Sequence, residues 1–130
     1  STEEYNGTSW GAGGNLATAR TQVTGCGGQD TGLSFGGLIT GVLSAVTEEY
    51  DGTSWSAGGN LATARYGLAG CGTQTAGLSF GGEDSLGSSA VTEEYTITTA
   101  IKTINGLAVA SVKTVNGLAI ASMKTWNGLA

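Results

Sequence analysis

Histidine is absent from this chain of 130 residues, and so is proline. Without histidine, no imidazole-bound zinc or copper site can be built within the chain. Cations are scarce too: Arg20, Arg65, Lys102, Lys113 and Lys124 face ten acids, for a net charge of −5. Phosphate binding needs a clustered basic face, so nucleic acid is not an expected partner. No apolar run reaches the ~18 to 20 residues of a membrane span, and no charged-then-apolar signal segment opens the sequence. Membrane insertion is therefore not expected. Cysteine occurs twice, as Cys26 and Cys71, at the same place in a repeated pattern. Equivalent positions of neighbouring repeats are expected to lie beyond the ~7 Å Cα limit for a bridge. The two thus read as buried free thiols acting as small apolar residues.

Glycine is abundant, at 24 copies, in a chain also rich in threonine and β-branched residues. That is the composition of many short strands joined by glycine turns. A repeat with a 45-residue step organises it: Thr2-Glu3-Glu4-Tyr5-Asn6-Gly7-Thr8-Ser9-Trp10 returns as Thr47-Glu48-Glu49-Tyr50-Asp51-Gly52-Thr53-Ser54-Trp55 and begins again at Thr92-Glu93-Glu94-Tyr95. A step of this length marks a blade, a solenoid turn or an array unit. Each unit reads as four antiparallel strands. Thr21–Cys26 is a short strand, Thr31–Phe35 a second that stops at Gly36-Gly37, Ala45–Tyr50 a third, and Thr53–Ser56 a fourth entered through an Asp51-Gly52 hairpin turn. Period-two geometry puts Val46, Glu48 and Tyr50 on one face of the third strand and Thr47 and Glu49 on the other.

The double glycine after an apolar strand (Gly36-Gly37, Gly81-Gly82), the Glu48-Glu49-Tyr50 strand end, Trp55 five residues on and Ala64-Arg65 opening the next unit resemble the kelch family of β-propeller repeats over residues 1–95. The resemblance implies four-stranded blades packed radially, with the tyrosines and tryptophans between neighbours. Kelch rings hold about four to eight blades. This chain carries strands three and four of one blade, a whole blade, and strands one to three of another.

Variation between the units is concentrated in one place. Leu38-Ile39-Thr40-Gly41-Val42-Leu43-Ser44 aligns with Glu83-Asp84-Ser85-Leu86-Gly87-Ser88-Ser89 while the flanking framework barely changes. A variable loop on a fixed scaffold is where binding is usually placed. Leu38, Ile39, Thr40, Glu83, Asp84 and Ser85 are accordingly the candidate binding residues, together with Tyr66, which breaks the local pattern and, like Trp126, is expected to be an exposed aromatic. A loop under weak constraint would look the same. The other aromatics, Tyr5, Trp10, Tyr50, Trp55 and Tyr95, sit in the repeated framework and read as core.

The repeated Glu-Glu pairs do not read as catalytic. Adjacent strand residues point to opposite faces and cannot converge on one substrate atom. One glutamate of each pair is expected to be solvated and the other to pair with Arg20 or Arg65. Asp30, Glu83 and Asp84 are loop acids without the spacing of a calcium loop. Neither a catalytic residue, a metal ligand nor a cofactor is assigned.

From Ile101 the period changes to eleven: Ile101-Lys102-Thr103-Ile104-Asn105-Gly106-Leu107 returns from Val112 and again from Met123. An eleven-residue apolar period suits a right-handed helical supercoil. Asn-Gly in every turn and the wealth of Thr, Val and Ile argue instead for a β meander over residues 96–130, with strands at about 97–104, 107–115 and 118–126. This tail resembles segments at the ends of bacteriophage and other virion-associated repeat proteins.

Those resemblances imply a non-enzymatic structural and adhesive module of a phage or extracellular fibre, in a virion or extracellular setting, binding a surface glycan or protein through its variable loops. A fragment of a larger propeller hydrolase or oxidase, with catalytic residues outside these residues, is the alternative. Incomplete end blades and exposed strand edges make self-association expected, as a homotrimer closing a ring of about six blades or as an open filament.

Overall fold

The structure is a computed structural model that describes residues 1–97 and, beyond them, two short strands. The chain divides into Ser1–Ile97 and Thr98–Ala130. It is all-β: among the described residues no helix is present.

A first hairpin joins β1 (Glu3–Tyr5) to β2 (Trp10–Ala12). Next come β3 (Thr24–Gly28) and β4 (Thr31–Phe35), then a small hairpin of β5 (Leu38–Ile39) and β6 (Val42–Leu43). β7 (Thr47–Tyr50) and β8 (Trp55–Ala57) complete a four-stranded antiparallel sheet in the order β3-β4-β7-β8. The pattern restarts with β9 (Ala69–Thr73), β10 (Ala76–Phe80), a second small hairpin of β11 (Glu83–Asp84) and β12 (Gly87–Ser88), and β13 (Thr92–Thr96). Here the sheet has three strands, β13-β10-β9. In the tail, β14 (Thr114–Val115) pairs antiparallel with β15 (Leu118–Ala119), bracketing an Asn-Gly as a hairpin requires. The other tail strands expected from the sequence, and Trp126, lie outside the described residues.

Turn chemistry sets these registers. Asp51 Oδ1 accepts the N–H groups of Thr53 and Ser54 at 2.9 and 2.8 Å, and Gly52 takes φ +88°, which closes β7 onto β8. The same two N–H groups hold the Asp51 carboxyl below its ordinary pKa. The double glycine has a backbone reason: Gly36 and Gly37 sit at φ +68° and +94°, Gly81 and Gly82 at +67° and +81°, a region costly for residues with a Cβ.

Several boundaries differ from the sequence reading: the third strand starts at Thr47 rather than Ala45, and the fourth runs Trp55–Ala57 rather than Thr53–Ser56. The first strand begins at Thr24 rather than Thr21, because Gln22 turns the chain at φ +52° and Thr21 exchanges backbone hydrogen bonds with Leu38. The variable segments expected as loops are the hairpins β5–β6 and β11–β12.

The four-stranded sheet has two working faces. Register places Leu33, Phe35, Thr47 and Glu49 on the face toward β9 and β10, and Ser34, Glu48, Tyr50 and Trp55 on the face toward β1 and β2. Leu33, Phe35 and Leu68 form the buried core, with Cys26, Leu61 and Tyr95 around them. Close approach of the sheets depends on Gly77, where a Cβ would stand 2.9 Å from Leu33 Cδ2. Cys26 and Cys71 are both free thiols, and burial raises the pKa of Cys26. Cys71, expected to be buried, is exposed, because its face of β9 has no sheet against it among the described residues.

Candidate functional site

An arginine at the head of each unit anchors the platform that carries the two variable hairpins. Arg20 donates through Nη1 to the carbonyls of Gly36 and Val46 at 2.9 and 2.6 Å, and through Nη2 to Ser34 Oγ and Glu48 Oε1, both at 3.1 Å. Glu48 also accepts the backbone N–H of Ala17 at 2.6 Å and of Thr18 at 3.3 Å. Arg65 repeats the arrangement with Gly81, Val91, Ser79 and Glu93 at 2.8 to 3.1 Å. Gly36 and Val46 flank β5–β6, and Gly81 and Val91 flank β11–β12. Each guanidinium thus ties together the two feet of one hairpin. Desolvation lowers the Arg20 pKa while the Glu48 carboxylate opposes the shift, as in a buried ion pair.

In two of the three pairs the second glutamate, Glu4 or Glu49, is held by a tyrosine rather than solvated as expected, while Glu94 is exposed. Tyr50 donates its hydroxyl to Glu4 and accepts the Gly14 N–H at 3.3 Å; Tyr95 donates to Glu49 and accepts the Gly59 N–H at 3.2 Å. One glutamate therefore closes its own sheet and the other reaches the next. Both tyrosines have raised pKa values, Tyr50 chiefly through its bond to Glu4 and Tyr95 chiefly through burial. A phenol with a raised folded-state pKa adds stability that is complete below its unfolded value of about 10 and is lost as pH rises through the higher folded value. Alkaline titration is accordingly expected to unfold the sheets above pH 10, and the double variant Tyr50→Phe/Tyr95→Phe is expected to flatten that transition in circular dichroism. An unchanged alkaline midpoint would show that the tyrosines do not control it.

On this platform Leu38 and Ile39 form β5, and Thr40 and Gly41 make its turn at φ +48° and +84°. Val42, across the turn, is 66% exposed. In the second hairpin Glu83 and Asp84 form β11, and Ser85 and Leu86 its turn, closed by the Leu86 N–H on Asp84 Oδ1 at 2.8 Å. Leu86 is 96% exposed, an apolar tip between two acids and glycine. Tyr66 is brought to this hairpin: its backbone exchanges hydrogen bonds with Glu83 at 3.1 and 3.0 Å, and its hydroxyl donates to the Glu83 carboxylate, which raises the tyrosine pKa. It is half-buried, so the expectation of an exposed aromatic is corrected. The Gly37 N–H donates to Arg65 O at 2.8 Å and the Gly67 N–H to Gln22 O at 3.3 Å, so both hairpins rise from one backbone platform. The structure thus joins Tyr66 to Glu83 directly, while Leu38, Ile39 and Thr40 stand on the neighbouring hairpin.

No family model and no curated protein matches the chain. Its chemistry is read from its own residues.

Two exposed aromatics escaped the sequence reading. Tyr5 and Trp10 pack with tilted rings, centroids 5.2 Å apart, but are 47% and 67% exposed, whereas Tyr50, the equivalent of Tyr5, is 2% exposed under the β1–β2 hairpin. With Glu3, Glu4 and Gln29 they line an open cleft. The signal was the repeat itself: the framework aromatics are buried only where another sheet covers them. Among the described residues no group of three or more Cys, Asp or Glu gathers as a metal site requires.

Proposed function

We propose that this chain is a non-enzymatic structural and adhesive module of a phage or extracellular fibre, built of kelch-like propeller blades, that displays its variable hairpins to a surface glycan or protein. The observation that carries the reading is the contrast between scaffold and hairpin. Arg20 and Arg65 make matching bonds to matching partners. The hairpins that they anchor share no chemistry, one aliphatic and one acidic. A scaffold that repeats while its tips diverge suits display rather than catalysis. Of the Glu-Glu pairs that could have been read as acid and base, Glu48 and Glu93 are held by arginine and Glu4 and Glu49 by tyrosine.

Charge narrows the ligand. All ten acids and both arginines lie within residues 1–97, and both arginine side chains are buried in ion pairs. The hairpin face therefore repels polyanions and suits a neutral glycan or a protein with basic and apolar groups. Copies associate through the open sheets at either end of the repeat region, about two blades each, so that three copies would close a ring of about six.

A glycan array together with pull-down from candidate surfaces tests the adhesive reading. Binding is expected to disappear when both tips, 39–42 and 84–87, are replaced by Asn-Gly turns, with the thermal midpoint unchanged. Binding that survives both replacements, or no binding to any surface, would remove the adhesive role.

A further inference from the structure

The strand that occupies the third place of the repeated sheet is present three times among the described residues, as β1, β7 and β13, whereas the first, second and fourth places are each filled twice. One third strand is surplus. Among the described residues β7 is flanked by β4 and β8, whereas β1 pairs with β2 alone and β13 with β10 alone. Two strands that occupy the same place in the repeat thus each leave a ladder edge open, and open edges are sites of pairing with another chain.

β1 and β13 are interchangeable in chemistry. Both contain Glu-Glu-Tyr preceded by threonine. Everything that holds β13 uses those residues: Glu93 accepts Arg65 at 3.0 Å and the Ala62 and Thr63 N–H groups at 2.6 and 3.2 Å, and Tyr95 donates to Glu49 and accepts the Gly59 N–H at 3.2 Å. Glu3 and Tyr5 offer the same groups at the same spacing, and β2 beside them is the fourth strand that the β13-β10-β9 sheet lacks among the described residues.

We propose that β13 holds the place of β1 from a second copy of this chain, and that the β1–β2 hairpin of one copy displaces β13 from β10 of another to complete a four-stranded sheet in trans. This rests on the self-association reading above and specifies its surface. Backbone ladder bonds are exchanged one for one, so they do not drive the step. Burial does: Tyr5, 47% exposed, takes over the partly buried place that Tyr95 gives up, and the net gain lies in Trp10, 67% exposed, which comes to lie as the partly buried Trp55 does, and in Phe80, 39% exposed, which comes to lie as Phe35 does at 2%. The incoming Tyr5 finds Glu49 and the incoming Glu3 finds Arg65. Glu94 has no part in the new contact.

Equivalent substitutions then have opposite effects, which distinguishes exchange from simple docking of one sheet on another. In the full chain, Glu93→Gln loosens the resident strand and is expected to move the association midpoint, read by sedimentation and native mass spectrometry, to about tenfold lower concentration, the equivalent of one charge-assisted hydrogen bond. Glu3→Gln weakens the incoming strand and is expected to move it about tenfold higher. Glu94→Gln is expected to leave it unchanged. Hydrogen exchange on the unmodified chain gives a second readout that needs no variant: with rising concentration, amides 92–96 lose protection and amides 3–5 gain it. Association in which residues 92–96 stay protected, or in which Glu3→Gln and Glu93→Gln shift the midpoint in the same direction or not at all, overturns the exchange and leaves self-association standing. A chain that stays monomeric at every concentration overturns both.

Discussion

Replacing Arg20 by leucine is expected to destabilise the folded chain by about 3 to 5 kcal/mol, the range for removing one partner of a buried ion pair. The arginine side chain is fully buried and the Glu48 side chain is 2% exposed, so the carboxylate left behind would keep only its two backbone donors. The carbonyls of Gly36 and Val46 would lose the guanidinium as well. Lysine is not a conservative replacement, because one ammonium cannot span four acceptors held in a planar fork. The double variant Arg20→Leu/Glu48→Leu is expected to recover most of the loss, since no buried charge is then orphaned. Arg65→Leu should cost less, because Glu93 is 18% exposed and water can reach it. Urea unfolding of the four proteins measures all of this; a loss below about 1 kcal/mol for Arg20→Leu would place the pair among weak surface bridges.

Phe35→Ala is expected to cost about 3 to 5 kcal/mol, as truncations of buried aromatics do. The ring is 2% exposed and closes the core between the two larger sheets, against Leu68 and over the backbone of Gly70, where any side chain would strike it. Phe80 fills the matching place in the next unit and is 39% exposed. Its truncation is expected to cost under about 1 kcal/mol when measured at dilutions where copies do not associate. Equal losses at the two positions would mean that Phe80 is covered even in the isolated chain.

Much of the strand pattern was legible because turn residues carry it. Gly36-Gly37, Gly52 and Gly81-Gly82 fall where positive φ is needed, and apolar alternation between them has one consistent register. The pairing of an arginine with one glutamate in two of the pairs, Glu48 and Glu93, was also legible, because both recur with the 45-residue step. The Tyr50–Glu4 and Tyr95–Glu49 contacts were not. They join residues 46 apart on different sheets, and which face meets which neighbour follows from sheet stacking rather than from period-two alternation. Recurrence of Glu-Glu-Tyr in all three copies was the available clue, even though Glu3 and Glu94 recur while exposed. Leu38–Leu43 concealed a hairpin because its turn is Thr40-Gly41, with a β-branched residue at positive φ in place of the usual Asn or Asp. Of the candidate site, Tyr66 stands out by breaking the pattern of its repeat, but its bond to Glu83 depends on a backbone bridge that the spacing of the two residues does not announce.

The arginine anchor has a genetic consequence. From Arg20 its partners lie 14, 16, 26 and 28 residues ahead, and from Arg65 they lie at the same four distances. Each tyrosine reaches back 46 residues to its glutamate in both cases. Unequal crossing-over between two near-identical copies removes or adds one whole step of 45 residues, keeps the reading frame and returns every one of these partners to its place. The number of units can therefore drift by recombination without an intermediate that fails to fold, and a new hairpin can be inherited as a cassette.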